Sequence, residues 1–161
     1  IMYVDYRLRL KPSFSLEYKA LAKVLEEERI TPTLQSIRDT VIRIRNSKLP
    51  DPATIGNAGS FFVNPVVSAE KFNTLQTEYP SIPSYPQPDG SVKVPAGWLI
   101  EQCGYKGHRS GAVGVYEHQA LVLVNYGGAT GTQVGALAEE IIGNVRQKFG
   151  ITLHPEVKYI L

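Results

Sequence analysis

Between residues 120 and 150 the chain carries a pattern that few folds can accommodate. Leu121, Val122, Leu123 and Val124 form an unbroken aliphatic run inside Ala120 to Asn125. Such a run reads as a strand, although a buried helix segment of that length has a similar look. Gly127-Gly128-Ala129-Thr130 then turns the chain, and Val134, Leu137, Ala138, Ile141, Ile142, Val145 and Phe149 recur at steps of three and four. That spacing predicts a helix with one apolar face, ended by Gly150 in the left-handed conformation. Gly135 and Gly143 cost this helix propensity, and they predict close packing against a sheet.

The rest of the chain supplies elements of the same mixed kind. Ile1 to Leu10 alternates apolar and charged residues, the period of a strand. Ser15 to Glu28 reads as a helix with Leu16, Ala20, Leu21 and Leu25 on one side, and Thr31-Pro32 as the start of a second helix to about Arg45. Leu34, Ile37, Val41 and Ile44 should line its buried face. Pro50 and Pro52 stiffen a linker, which sets the compact domain's start near residue 53. Phe61 to Val63 is expected as a short strand, and Ser68 as the cap of a helix that buries Phe72 and Leu75. Prolines 80, 83, 86 and 88 argue against a regular ladder before the turn at Asp89-Gly90. A strand over Ser91 to Val94, a short helix over Ala96 to Cys103, a strand over Val113 to Tyr116, and terminal strands at 151–153 and 157–161 complete an α+β arrangement.

Composition excludes several function classes. Seventeen basic against fifteen acidic residues leave a net charge of +2, too small to imply a nucleic-acid partner by itself. Cys103 is the single cysteine, so no internal disulfide can form, and a reducing, cytoplasmic setting is expected. There is no metal-ligand spacing, no phosphate-cradling glycine loop and no apolar run of membrane-spanning length.

The segment Gly56-Asn57-Ala58-Gly59-Ser60-Phe61-Phe62, followed by Val63-Asn64-Pro65, is where chemistry is concentrated. Glycines beside a serine predict a tight turn presenting a hydroxyl, anchored by two phenylalanines. On local chemistry alone, a structural turn entering a strand is the reading these residues favour.

Those residues, with Lys48-Leu49-Pro50-Asp51-Pro52, Ala96 to Cys103, Tyr105-Lys106-Gly107, Gln119 to Asn125 and Pro155-Glu156-Val157, resemble in order the C-terminal part of the UDP-N-acetylenolpyruvoylglucosamine reductase family. The long form, with a tyrosine-bearing loop, fits best. The resemblance implies an α+β sandwich with a small mixed or antiparallel sheet and packed helices, plus an N-terminal strand and helical extension. It divides the chain into 1–52 (the last strand of a flavin domain, the tyrosine loop and a linker helix), 53–153 (the substrate-binding domain) and 154–161 (a segment returning to the flavin domain). It implies reduction of UDP-N-acetylglucosamine enolpyruvate to UDP-N-acetylmuramate by NADPH through FAD, with the cofactor contacts mainly in a flavin-binding domain outside this chain, so that this chain alone is expected to hold neither cofactor and to be inactive. Ser60 falls on the family's proton donor and Glu156 on its second catalytic group. Tyr18, Arg45, Lys48, Asn64, Lys106 and Gln119 fall on substrate contacts.

Two positions depart from the family pattern: Val63 stands where lysine is common, and Lys158 where arginine is usual. The first weakens the electrostatics beside the implied proton donor. The competing reading is a structural or binding module, whose basic cluster of Arg38, Arg43, Arg45 and Lys48 could meet a nucleic acid but lacks interleaved aromatics.

Overall fold

The computed structural model describes residues 2–160, which form two compact units, one ending at Ser47 and the other beginning at Lys48. The second unit therefore starts five residues before the boundary expected at 53.

The first unit is a helical hairpin, α1 (Lys19–Glu27) and α2 (Leu34–Lys48), whose final residue opens the second unit. Leu21, Leu25 and Ile44 are buried between the helices, with Ile37 and Val41 packed beside them. Leu34 does not join them: it is 67% exposed, because the helix begins later than Thr31-Pro32 suggested. Thr33 is the residue that caps it. The Thr33 hydroxyl accepts from the Ser36 amide at 3.0 Å, and the Ser36 hydroxyl accepts from the Thr33 amide at 2.8 Å. This reciprocal pair satisfies two donors of the first turn. The strand expected over residues 1–10 is absent among the described residues: Met2 to Leu10 is exposed throughout and forms no ladder with any described strand. Alternation supplies a face but not a partner strand, and an unpaired strand does not persist. Ile1 lies outside the described residues.

Among its described residues the second unit contains two antiparallel sheets and three helices. In chain order these are β1 (Gly56–Ser60), β2 (Val66–Val67), α3 (Ala69–Glu78), β3 (Tyr85–Pro86), β4 (Val92–Lys93), α4 (Ala96–Gln102), β5 (Arg109–Ser110), β6 (Val113–Val115), β7 (Val122–Asn125) and α5 (Gly131–Phe149). The larger sheet has the order β1-β7-β6-β5 and the smaller β2-β4-β3. β7 is the aliphatic run expected, with Val122, Leu123 and Val124 buried. Asn125 turns it into α5 by accepting from the Gly127 and Ala129 amides at 2.9 and 3.2 Å.

α5 starts at a capping box between Thr130 and Gln133 and stops at Gly150, whose φ of 62° is left-handed as expected. Its buried side (Leu137, Ala138, Ile141, Val145 and Phe149) packs into the core built around Phe62, Leu99, Ile100 and Val115. The interior glycines behave differently from expectation. A β-carbon at Gly135 would meet the Tyr159 ring at 3.4 Å, and one at Gly143 would meet nothing within 4 Å. Gly143 therefore marks no close approach to the sheet.

Three strand expectations are corrected here. The strand near Ser60 is not 61–63 but the glycine-rich Gly56–Ser60, recruited by pairing with β7 rather than by its own propensity. Tyr85–Pro86 forms a ladder with β4 despite its proline, which an edge strand tolerates. Among the described residues the terminal strands do not form: Ile151 and Leu153 are buried in irregular chain, and beyond them Pro155 is joined to Phe62 by a bridge. Leu161 lies outside the described residues.

Candidate functional site

Ser60 owes its position to a bulge. Gly56 and Asn57 pair with Asn125 and Val124, but Ser60 pairs with Val122, so the register slips between residues 57 and 60. Gly59 occupies this slip with φ 72°, and the Asn57 side chain braces it by accepting from the Gly59 amide at 3.0 Å. A bulge bends the strand and re-aims the side chain that follows. The glycines thus serve an edge-strand bulge, not the tight turn expected. A β-carbon at Gly59 would touch nothing within 4 Å, so its requirement is purely conformational. Gly59→Ala is expected to cost about 1–2 kcal/mol through left-handed strain, read as a lowered denaturant midpoint.

Beyond Ser60 the chain is gripped on both sides. The Phe61 amide donates to the Leu121 carbonyl at 2.8 Å, and the Phe61 carbonyl accepts from the Glu156 amide at 2.8 Å. The Val63 amide donates to the His154 carbonyl at 2.9 Å. Buried Phe61 and Phe62 anchor this crossing, their rings 5.1 Å apart in an edge contact. The irregular C-terminal segment is thereby brought beside β1, and Ser60 and Glu156 line one cleft of about 320 Å³ with Val63, Asn64 and Lys93.

A second cleft, of about 490 Å³, adjoins it and shares Asn64, Lys93 and Leu121. Lys48, Lys106 and Gln119 line this second cleft. Six of the eight residues singled out in sequence therefore stand along one continuous groove within the second unit. Tyr18, at the start of α1, and Arg45, exposed on α2, belong to the first unit.

Each groove residue is held in a recognisable way. The Asn64 carbonyl oxygen accepts from the Ala96 amide at 2.9 Å, where Pro95 cannot cap α4 with a side chain. Because that bond fixes which end is oxygen, the Asn64 NH2 group remains to donate into the cleft. Lys106 is paired with Glu101 at 2.9 Å on an exposed rim, a contact that orients more than it stabilises. The turn before it is tied to α5 through Tyr105, whose hydroxyl donates to Glu140 at 2.7 Å and accepts from Asn144 at 2.7 Å. Burial and the Glu140 carboxylate push the Tyr105 hydroxyl up to about 12, so it stays neutral. Gly97 lets α4 close on the wall of the groove: a β-carbon there would sit 3.3 Å from both Gln119 Oε1 and Leu121 Cγ.

Lys93 and Tyr85 escaped the sequence reading. They enter the groove because β3 and β4 pair with Tyr85 opposite Lys93, a register that no local period announces. The one available signal was the alternation Val92, Lys93, Val94, which puts the lysine on the face away from the core. The basic cluster on α2 is partly neutralised, since Arg43 pairs with Glu28 at 2.7 Å and Arg38 with Asp39 at 2.9 Å. Among the described residues, no cluster of side chains could hold a metal, and no helix is long and apolar enough to cross a membrane.

This α+β unit carries a hydroxyl and a carboxylate at one end of a groove, with amides and lysines along it. The family model described as UDP-N-acetylenolpyruvoylglucosamine reductase, C-terminal domain, matches residues 51–160. A UDP-N-acetylenolpyruvoylglucosamine reductase of Porphyromonas gingivalis is 99% identical over 161 residues, all of this chain and 48% of that protein. Proteins of the same name from Bacteroides fragilis (48% identical over 99% of this chain and 48% of theirs) and Pseudomonas aeruginosa (50% over 97% and 46%) match it similarly. The chain belongs to the UDP-N-acetylenolpyruvoylglucosamine reductase family, and it spans about half the length of these curated relatives.

Proposed function

We propose that this chain provides the substrate-binding groove and the proton donor of an NADPH-dependent flavoenzyme that converts UDP-N-acetylglucosamine enolpyruvate to UDP-N-acetylmuramate, a peptidoglycan precursor. The observation that carries the reading is the junction of the two clefts. It places Ser60 and Glu156 at one end and Lys48 and Lys106 along the other, within volumes typical of sites for ligands of this size.

The roles follow from charge. Lys48 and Lys106 suit a diphosphate as mobile point charges, and the Asn64 and Gln119 side chains supply fixed polar contacts between them and the reacting end. FAD, reduced by NADPH, would supply a hydride to C3 of the enolpyruvyl group. Negative charge then develops at C2 and its neighbouring carboxylate, and Ser60 gives C2 its proton. Glu156 serves the charged intermediate only when protonated or matched by a cation, since an unpaired carboxylate would repel it. Tyr18 and Arg45, on the helical unit, are assigned to substrate contacts from the family resemblance, Tyr18 as the tyrosine of a closing loop and Arg45 as a cation.

The chain has a place beside the flavin. A third cleft, of about 690 Å³, is lined by Ala58, Phe61 and Tyr159 with Lys158 at its side. Those apolar walls suit part of an aromatic ring system, with Lys158 as a cation for its polar edge. The greater part of FAD and NADPH is assigned to the remaining half of the enzyme, the main partner of this chain. A reaction that draws on NADPH and a nucleotide sugar is assigned to the cytoplasm.

Titrating the isotope-labelled chain with UDP-N-acetylglucosamine enolpyruvate tests the groove directly. Backbone amides around Ser60, Asn64 and Lys106 are expected to shift in a saturable way. If none moves at millimolar ligand, the groove is not a substrate site in this chain.

A further inference from the structure

Lys106 is carried by a turn whose two flanking glycines are both left-handed, Gly104 at φ 80° and Gly107 at φ 76°. The first of them ends α4 in a Schellman motif: the Gly104 amide donates to the Glu101 carbonyl at 2.9 Å, and the Tyr105 amide to the Ile100 carbonyl at 3.3 Å. The His108 amide then closes the turn on the Tyr105 carbonyl at 2.8 Å. These bonds join the turn to α4 and to itself. The Tyr105 side chain, 7% exposed, joins it to α5: its hydroxyl donates to Glu140 and accepts from Asn144, each at 2.7 Å. The Asn144 side chain also donates to the Glu140 carbonyl at 2.9 Å, so these two residues, one turn apart on α5, form a fixed receptor for the hydroxyl.

Neither Tyr105, Glu140 nor Asn144 lines either cleft of the groove, so this hydroxyl does not meet substrate. Packing does not require it either. The Tyr105 ring belongs to the core, and a phenylalanine ring would fill the same space. Glu140 and Asn144 are exposed, so water would satisfy them if the hydroxyl were gone. A bond that adds little to stability but is directional acts on geometry. The residue it can place is the next one, Lys106, which lines the second cleft beside Gln119. A glycine-flanked turn left to sample other conformations would lose entropy each time substrate bound, and a turn fixed beforehand does not. Lys148 also spans from α5, to the Gln102 carbonyl, but that contact holds the end of α4 before the turn begins.

Resting on the function proposed above, we infer that Tyr105 is a positioning residue for substrate binding: its hydroxyl, seated between Glu140 and Asn144, fixes the turn that presents Lys106 to the anionic substrate. Lys106 is assigned to the diphosphate, remote from the carbon that is reduced. A contact of that kind is made equally in the bound ground state and in the transition state, so its loss raises KM and spares kcat.

The test uses the full-length enzyme with its flavin, and UDP-N-acetylglucosamine enolpyruvate as substrate. Tyr105→Phe is expected to raise KM roughly 5-fold, the scale of one hydrogen bond, at nearly unchanged kcat. Glu140→Leu should repeat that effect, and Glu140→Gln, which keeps an acceptor for the hydroxyl, should retain most of the affinity. In a Lys106→Met background, Tyr105→Phe should add little, because the turn then carries no cation to place. Lys148→Met is the control for general loosening between α4 and α5, and it should leave KM as it was. An unchanged KM in Tyr105→Phe would overturn the inference. So would additive rises in KM from Tyr105→Phe and Lys106→Met, or an equal rise from Lys148→Met. Thermal melting of each variant separates these outcomes from misfolding. If Lys106→Met itself leaves KM unchanged, the reading of the groove fails and not the Tyr105 inference alone.

Discussion

In the full-length enzyme, Ser60→Ala is expected to leave NADPH oxidation in the first half-reaction intact while product formation falls roughly 10²–10⁴-fold, the usual worth of a positioned proton donor. The structure makes this a clean substitution. Ser60 is exposed at the end of β1, and its side chain makes no hydrogen bond within the protein among the described residues. Removing one oxygen there should change stability by less than about 0.5 kcal/mol. Loss of activity could not then be charged to loss of fold. Single-turnover measurements would show reducing equivalents accumulating with no UDP-N-acetylmuramate formed. Product formation at the normal rate would remove Ser60 from the mechanism and leave the groove as a binding site with a donor elsewhere.

The phenylalanines beside Ser60 explain why the motif was legible before the geometry was known. Phe61 and Phe62 announce an anchored segment because two adjacent aromatics cannot both be left in water, and they are 3% and 1% exposed. What the residues could not announce is the bulge. The expected tight turn and the observed register slip both need a left-handed glycine, and only the pairing partner distinguishes them. The same division runs through the fold. α5, its Thr130 and Gly150 ends, the Ser68 cap and the aliphatic β7 were readable because their signals are local: a period, a cap, a run. The small sheet was poorly readable because strands of two residues have no period of their own. Lys93 and Tyr85 reach the groove only through that sheet. The alternation at residues 1–10 misled for the complementary reason, since it describes a strand's faces while saying nothing of what its backbone would bond to.

The same dependence on strand pairing makes Gly114→Ala the most damaging small change expected for stability. Gly114 sits mid-strand in β6, paired with Arg109 on one side and Val124 on the other, and it is buried. Its φ is not left-handed, so backbone freedom is not what requires glycine here. Space is. A β-carbon would lie 2.7 Å from the His108 carbonyl oxygen, 2.9 Å from Tyr126 Cε2 and 3.3 Å from Arg109 Cα. Two of those three contacts are backbone, which cannot rotate aside. Relieving the first would displace the His108 carbonyl from the Val115 amide it accepts from at 2.8 Å, and relieving the second would disturb the Arg109 guanidinium stacked 4.1 Å above the Tyr126 ring. Overpacking strain and a weakened ladder bond together predict a loss of about 3 kcal/mol. The measurement is the denaturant midpoint at unchanged slope. Gly111→Ala in the same hairpin is the control: its β-carbon meets nothing within 4 Å, and its φ of 62° should cost only about 1–2 kcal/mol. If Gly114→Ala proved no worse than Gly111→Ala, the close approach of β5 to β6 would be compliant, and the turn preceding it would be free to carry Lys106 away from the groove.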